Sequence, residues 1–79
     1  MGDRSKEAVE LVEFIAKAIV TKPEDVKVTP CEGGRLLELE TDGSDRGRVI
    51  GRQGRVAKAM RAVLTASGPG ADCRLEIVD

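Results

Sequence analysis

Apolar residues first recur at helical spacing along this chain and then at alternate positions, so the pattern predicts a helix followed by strands. Over residues 5 to 20 the apolar positions, among them Leu11 and Ile15, follow the helical repeat. Ser5 is in position to cap the first turn of this helix. Pro23 is expected to break it, because proline lacks a backbone donor.

Two short segments with alternating apolar and polar residues predict an antiparallel hairpin. The first begins at Val26, and Pro30 is expected to end its regular pairing. The second contains Leu37 and Leu39, and the glycines between the two segments allow a tight reversal.

Two further helices and a last strand are predicted in the second half of the chain. Ser44 or Asp45 can cap a short helix over residues 46–50, and a longer helix covers residues 56–64. Gly68 suits the left-handed position after that helix, and alternation returns near the C-terminus. The predicted order is α-β-β-α-α-β.

The strand positions that face away from the apolar side are mostly charged: Lys27, Thr29, Glu38, Glu40, Arg74 and Glu76. One sheet face is therefore expected to be exposed and the other to carry three helices, in a two-layer α+β domain over residues 1–79 whose first four residues fray. Cys73 shares the parity of the inward positions and Cys31 has the opposite parity, so we expect two reduced thiols on opposite faces.

The first helix is apolar around roughly 240° of its circumference, wider than a single core-facing stripe requires. Phe14, the one aromatic residue of the chain, lies at the edge of this arc. It either closes the core or remains exposed for a protein partner, and the sequence leaves both alternatives open.

Charge is divided unevenly along the chain, although its formal net value is only −1. Residues 44–61 hold six basic side chains against Asp45 alone, a net +5, whereas residues 1–43 carry −4 and residues 62–79 carry −2. A local basic segment in an otherwise acidic chain indicates an anionic ligand.

Composition excludes several classes of protein. No apolar run approaches the roughly 20 residues that cross a bilayer, and the charged N-terminus does not resemble a secretory signal, so we expect a cytoplasmic protein that does not bind membranes. The chain has no histidine and only two cysteines, which argues against a metal site or an activated thiol.

The basic segment surrounds two glycines at the junction of two predicted helices. A glycine-x-x-glycine loop that leads into a helix lets phosphates approach the main chain and presents backbone N–H groups to them. The candidate RNA-binding residues are Arg48, Val49, Ile50, Gly51, Arg52, Gln53, Gly54, Arg55 and Lys58. Of Val49 and Ile50, one is expected to line a base-binding groove and the other to face the core.

The segments VEFIAKA (12–18), GRVIGRQGR (47–55) and LEIVD (75–79) resemble the small bacterial single-KH RNA-binding proteins of the KhpA type. The resemblance implies a type II KH domain with a mixed three-stranded sheet, single-stranded RNA binding with weak sequence preference, and a role as an RNA chaperone or post-transcriptional regulator. It also implies homodimers, or heterodimers with a second KH protein of the KhpB type, and a link to cell elongation and division in some bacteria. No cofactor is implied.

The chain departs from the family pattern at three places. Arg52 stands where lysine is commonest, which keeps the charge but changes the hydrogen-bond geometry. Residues 67–72 are shorter and less basic than usual, which suggests weaker RNA affinity, and residues 1–5 have no clear counterpart.

Three other functions are each suggested by part of the sequence. A nucleotide-binding enzyme is disfavoured, because the glycine spacing matches neither the P-loop nor the dinucleotide fingerprint. A protein interaction module that acts by homo- or heterodimerisation is the stronger alternative. Single-stranded DNA as the ligand stays open, because discrimination by the 2′-hydroxyl depends on geometry.

Overall fold

The computed structural model describes residues 4–68 and 72–78. Its elements, in chain order, are α1 (Arg4–Ile19), β1 (Lys27–Cys31), β2 (Leu36–Glu40), α2 (Arg46–Ile50), α3 (Arg55–Ala66) and β3 (Arg74–Ile77). Single 3₁₀ turns precede β1, join β1 to β2, precede α2 and join α2 to α3. The predicted element order is confirmed.

The three strands form one mixed sheet in the order β1-β2-β3. Strand β1 pairs antiparallel with β2, with Val28 opposite Leu39, and β2 pairs parallel with β3, with Leu37 opposite Leu75. The predicted hairpin and the mixed sheet implied by the family resemblance are both confirmed.

A single apolar core joins the helices to one face of the sheet. It contains Ala8, Val12, Ala16, Val26, Val28, Leu37, Leu39, Val49, Met60, Leu64 and Leu75. The opposite face is wetter: Lys27, Arg74 and Glu76 are exposed, and Glu38 and Glu40 are half-buried. The molecule is therefore the expected two-layer α+β domain.

Three local predictions are wrong. Pro30 lies inside β1, opposite Leu37, because β1 is an edge strand where a missing N–H donor is tolerated. Ser5 lies inside α1 instead of capping it. Helix α3 ends through Ser67, which is extended and whose N–H donates to the Val63 and Leu64 carbonyls, while Gly68 has no positive φ.

The two cysteines are free and lie on opposite faces of the sheet, as their parity predicts. The Cys73 thiol packs against the core and donates to the Gly34 carbonyl at 3.1 Å. Cys31 lies opposite Leu36, which is buried outside the core cluster although it has the parity of the exposed face.

Some expectations concern parts of the chain that the structure does not describe. Residues 1–3 of the segment expected to fray, and Pro69, expected to stop α3, lie outside the described residues. Residue 4 of the same segment is already helical.

Candidate RNA-binding loop

The glycine loop is a single tight turn between α2 and α3. Helix α2 ends at Ile50, Gly51 has φ 78° and ψ 170°, a 3₁₀ turn covers Arg52–Gly54, and α3 begins at Arg55. Gln53 and Gly54 also have positive φ, at 55° and 73°. Three of the four residues from Gly51 to Gly54 thus have positive φ, in a turn that ends where α3 begins.

The two glycines are required for different reasons. A Cβ on Gly51 would lie 2.4 Å from Val56 Cγ2, so the backbone there packs directly against α3. A Cβ on Gly54 would meet no atom within 4 Å. Gly51 therefore closes the loop against the domain, while Gly54 is favoured by its positive φ and has open space above its backbone.

The hydrogen bonds of the turn leave two N–H groups unused. The donors are Gly51 N to Gly47 O at 2.8 Å, Gly54 N to Gly51 O at 3.1 Å, and Arg55 N to Arg52 O. The N–H groups of Arg52 and Gln53 take no part in these bonds. They lie next to the N-terminus of α3, whose dipole favours an anion.

The side chains around this backbone are exposed and mostly cationic. Arg52, Gln53, Arg55 and Lys58 are all exposed. Arg55 Nη2 donates to Gln53 Oε1 at 3.3 Å, so an α3 cation is connected to the tip of the loop. This arrangement can bind a phosphate through backbone donors and neutralise it with side-chain charge.

As expected, one residue of the pair Val49 and Ile50 faces the core and the other faces the surface. Val49 is fully buried and belongs to the core, so the prediction that it contacts RNA is corrected. Ile50 is 37% exposed beside the loop and can offer an aliphatic surface. The reason is the helical repeat of α2, which turns adjacent residues 100° apart.

Arg48 is held by a buried acid. Asp45 is fully buried, and its Oδ1 lies 3.4 Å from Arg48 Nε. Asp45 also accepts hydrogen bonds from Thr21 N at 3.0 Å, Thr21 Oγ1 at 2.9 Å and Lys22 N at 3.0 Å. The bond from the Thr21 backbone is the main cause that lowers the pKa of Asp45, against a desolvation effect that raises it.

The predicted cap of α2 is therefore corrected. Asp45 occupies the N-cap position of α2 but its side chain makes no capping bond, because the carboxylate is directed to the segment that follows α1. The residue that caps locally is Asp42, which accepts from Ser44 N at 3.0 Å and from Ser44 Oγ in the preceding turn. The contacts of Asp45 with Thr21, Lys22 and Arg48 were not predicted from the sequence. A lone acid inside a basic segment could have indicated that it pairs with a neighbouring cation.

One basic residue of the segment is turned away from the loop. Arg61 Nε donates to the Leu75 carbonyl of β3 at 3.1 Å. The positive charge counted along residues 44–61 is thus not all directed to the same surface.

An apolar groove of about 380 Å³ lies between α1 and α3. It is lined by Ile15, Ile19, Arg55, Val56, Ala59, Met60 and Val63. Phe14, on α1, is 75% exposed, so it does not close the core and remains on the surface.

Among the described residues, no helix is long and apolar enough to cross a membrane.

Comparison with known proteins identifies the family. A model of the KhpA/KhpB KH domain matches residues 9–77. The RNA-binding protein KhpA of Treponema pallidum is 45% identical over 74 residues, which cover 89% of this chain and 92% of that protein. The RNA-binding protein KhpA of Clostridium perfringens is 53% identical over 60 residues, which cover 73% of this chain and 80% of that protein. The RNA-binding protein KhpA of Borreliella burgdorferi is 44% identical over 75 residues, which cover 90% of this chain and 92% of that protein.

No solved structure matches the chain. The family model nevertheless covers most of its length, and the resemblance drawn from the loop and the two flanking segments is confirmed. The chain belongs to the KhpA/KhpB KH-domain family.

Proposed function

We propose that this protein binds single-stranded RNA and grips its backbone with the loop Gly51-Arg52-Gln53-Gly54. The observation that carries the proposal is the loop itself: two backbone N–H groups unused by the turn, open space above Gly54, and exposed cations on both sides. Such a clamp holds about four nucleotides in KH domains. The names of the bacterial relatives, each an RNA-binding protein, support the same function.

The contact set has two parts. Arg48, Arg52, Arg55 and Lys58 contact phosphates, together with the backbone of the loop and the Gln53 amide. Ile50 offers an aliphatic surface to a base. Phe14 lies on α1, and the chain has no other aromatic residue, so bases do not stack on an aromatic platform. Phosphate contacts carry no sequence information, and we therefore expect weak base preference.

Weak base preference suits an RNA chaperone or a post-transcriptional regulator in the cytoplasm. Both roles require binding to many unpaired segments instead of one defined site. No catalytic step is proposed, because the loop offers donors and cations without a paired acid and base.

A titration of fluorescein-labelled single-stranded RNA tests the proposal. The wild-type protein is compared with Arg52→Asp/Gln53→Asp, and an unlabelled DNA of the same sequence is added as a competitor. We expect the double variant to lose binding and RNA to compete better than DNA. Equal binding by both proteins would reject the clamp, and equal competition would change the ligand to single strands of either kind.

A second candidate function is self-association through the groove between α1 and α3. We propose a second copy of this chain as the occupant, because the chain carries the complementary feature: exposed Phe14, with the exposed Glu7 and Glu10 on the same side of α1. The groove is apolar and has Arg55 in its lining, so an aromatic ring accompanied by carboxylates matches it in polarity and charge. A heterodimer with a KhpB-type protein stays an expectation from the family.

A further inference from the structure

Asp45 is the one charged side chain that is fully buried among the residues that the structure describes. A carboxylate is removed from water at a large cost unless several donors replace the water. Asp45 has three hydrogen bonds, all from Thr21 and Lys22 after α1, and an ion pair at 3.4 Å with Arg48 on α2. The carboxylate thus joins the end of α1 to the helix that leads into the RNA-binding loop.

The contact with Arg48 uses only part of the guanidinium. The atom close to Asp45 Oδ1 is Nε, and 57% of the Arg48 side chain remains exposed. Arginine has five donors in a fixed planar fork, so a guanidinium anchored through Nε keeps its two terminal amino groups for another acceptor. Arg48 stands three residues before Gly51, and a phosphate at the loop is such an acceptor.

We infer that Asp45 is a positioning residue for RNA binding, which acts by holding the Arg48 guanidinium in the orientation that a phosphate at the Gly51–Gly54 loop requires. This inference rests on the proposed function. The negative charge of Asp45 would not suggest this role, because an acid close to an RNA site should repel the phosphates. The Arg48 guanidinium, 3.4 Å from the carboxylate, offsets this negative charge, so the orienting effect remains.

An asparagine could not replace the carboxylate in this role. Thr21 donates to Oδ1 and Lys22 N donates to Oδ2, so both oxygens act as acceptors. The amide of asparagine would direct its NH₂ at one of these donors and would carry no charge for Arg48.

The test is a double-mutant cycle on the affinity for labelled single-stranded RNA. Asp45→Asn is compared with the control Asp42→Asn, which removes an equal charge three positions earlier in the chain. The Asp42 side chain contacts Ser44 and Lys22 but not Arg48. We expect Asp45→Asn to bind RNA about three- to tenfold more weakly than Asp42→Asn, as one charge-assisted contact is impaired. In an Arg48→Ala background the same substitution should change affinity less than about twofold, because the residue through which it acts is gone.

Each outcome has one meaning. Equal affinity of Asp45→Asn and Asp42→Asn, or an equal loss with and without Arg48, would overturn the inference and leave Asp45 a structural residue. Wild-type protein that fails to bind the RNA would overturn the proposed function instead.

All affinities are measured at a temperature where circular dichroism shows the variants folded. If Asp45→Asn does not fold, Arg48→Lys keeps the inference falsifiable. A lysine ammonium retains the charge but lacks the planar fork that reaches Asp45 and a phosphate together. We expect Arg48→Lys to bind RNA more weakly than the wild type but more tightly than Arg48→Ala, and wild-type affinity in this variant would overturn the inference.

Discussion

The backbone of Gly51 packs directly on Val56, so that a Cβ at position 51 would lie 2.4 Å from Val56 Cγ2 and 2.8 Å from the Val56 backbone nitrogen. The backbone nitrogen cannot move aside without disturbing the first turn of α3. The φ and ψ of Gly51, 78° and 170°, also lie in a region that only glycine occupies readily. The first glycine of the loop is therefore fixed by the fold, before any ligand is considered.

Gly51→Ala is expected to destabilise the protein much more than Gly54→Ala. Strain and overpacking at position 51 should together cost about 2–5 kcal/mol, whereas the left-handed conformation of Gly54, in open space, should cost an alanine about 1–2 kcal/mol. Thermal or urea unfolding of the two variants measures the difference. Equal losses would contradict the packing of Gly51 on Val56.

The element order and the site of the loop could be predicted from sequence because both depend on local patterns. Helical and alternating periodicity fixed the elements, and the adjacent charges marked the loop. The Asp45 contacts could not be predicted in the same way, because Asp45 and Thr21 are 24 positions apart and meet only when α1 packs beside α2. The pairing of Pro30 could not be predicted for a similar reason: its place on an edge strand is a property of the whole sheet.

Acid should unfold this protein through its aspartates. The pKa of Asp45 is lowered, mainly by the Thr21 backbone bond, and that of Asp42 is lowered, mainly by the Ser44 side-chain bond. A lowered folded-state pKa gives stability that is fully present above the unfolded value, about 3.9, and is lost as the pH falls through the folded-state value. With no histidine in the chain, the free energy of unfolding should change little from pH 5 to 7 and fall below about pH 4.

Urea unfolding at a series of pH values tests this prediction. Asp45→Asn should be less stable at neutral pH and should show a shallower decline in acid, because one of the titrating groups is removed. A decline as steep as that of the wild type would show that Asp45 does not contribute to acid sensitivity.

Two cations on α3 should separate stability from RNA binding. Lys58 is exposed one turn from the loop, whereas Arg61 donates to the Leu75 carbonyl. Lys58→Gln should lower RNA affinity and reduce the salt slope of log K by about 0.7, the value for one phosphate contact on a single strand. Arg61→Gln should instead cost about 1 kcal/mol of stability and leave the slope unchanged. A shallower salt dependence in Arg61→Gln than in Lys58→Gln would show that Arg61, and not Lys58, contacts a phosphate.

Self-association should depend on Phe14 and on the groove. Sedimentation of wild-type protein is expected to show a dimer that dissociates on dilution, and Phe14→Ser and Val63→Asp should each be monomeric. Because Phe14 is exposed, Phe14→Ser should keep the fold, and its melting temperature provides the control. Since both copies carry the groove and Phe14, a closed two-fold dimer is expected. Dimers in the Phe14→Ser variant, or open-ended assembly of the wild type, would reject this interface.

Binding of the phosphate backbone by the Gly51–Gly54 loop should be visible in the salt dependence of RNA affinity. Wild-type protein, Arg52→Asp/Gln53→Asp and the control Lys27→Asp, which reverses an exposed cation on β1 away from the loop, are titrated with labelled single-stranded RNA at two or more salt concentrations. Three or four phosphate contacts predict a slope of log K against log salt of about −2 to −3 for the wild type and the control. The loop variant should bind at least about tenfold more weakly, with a shallower slope, as charge-assisted contacts are lost. Unchanged affinity and slope in the loop variant would show that the loop does not bind the phosphates.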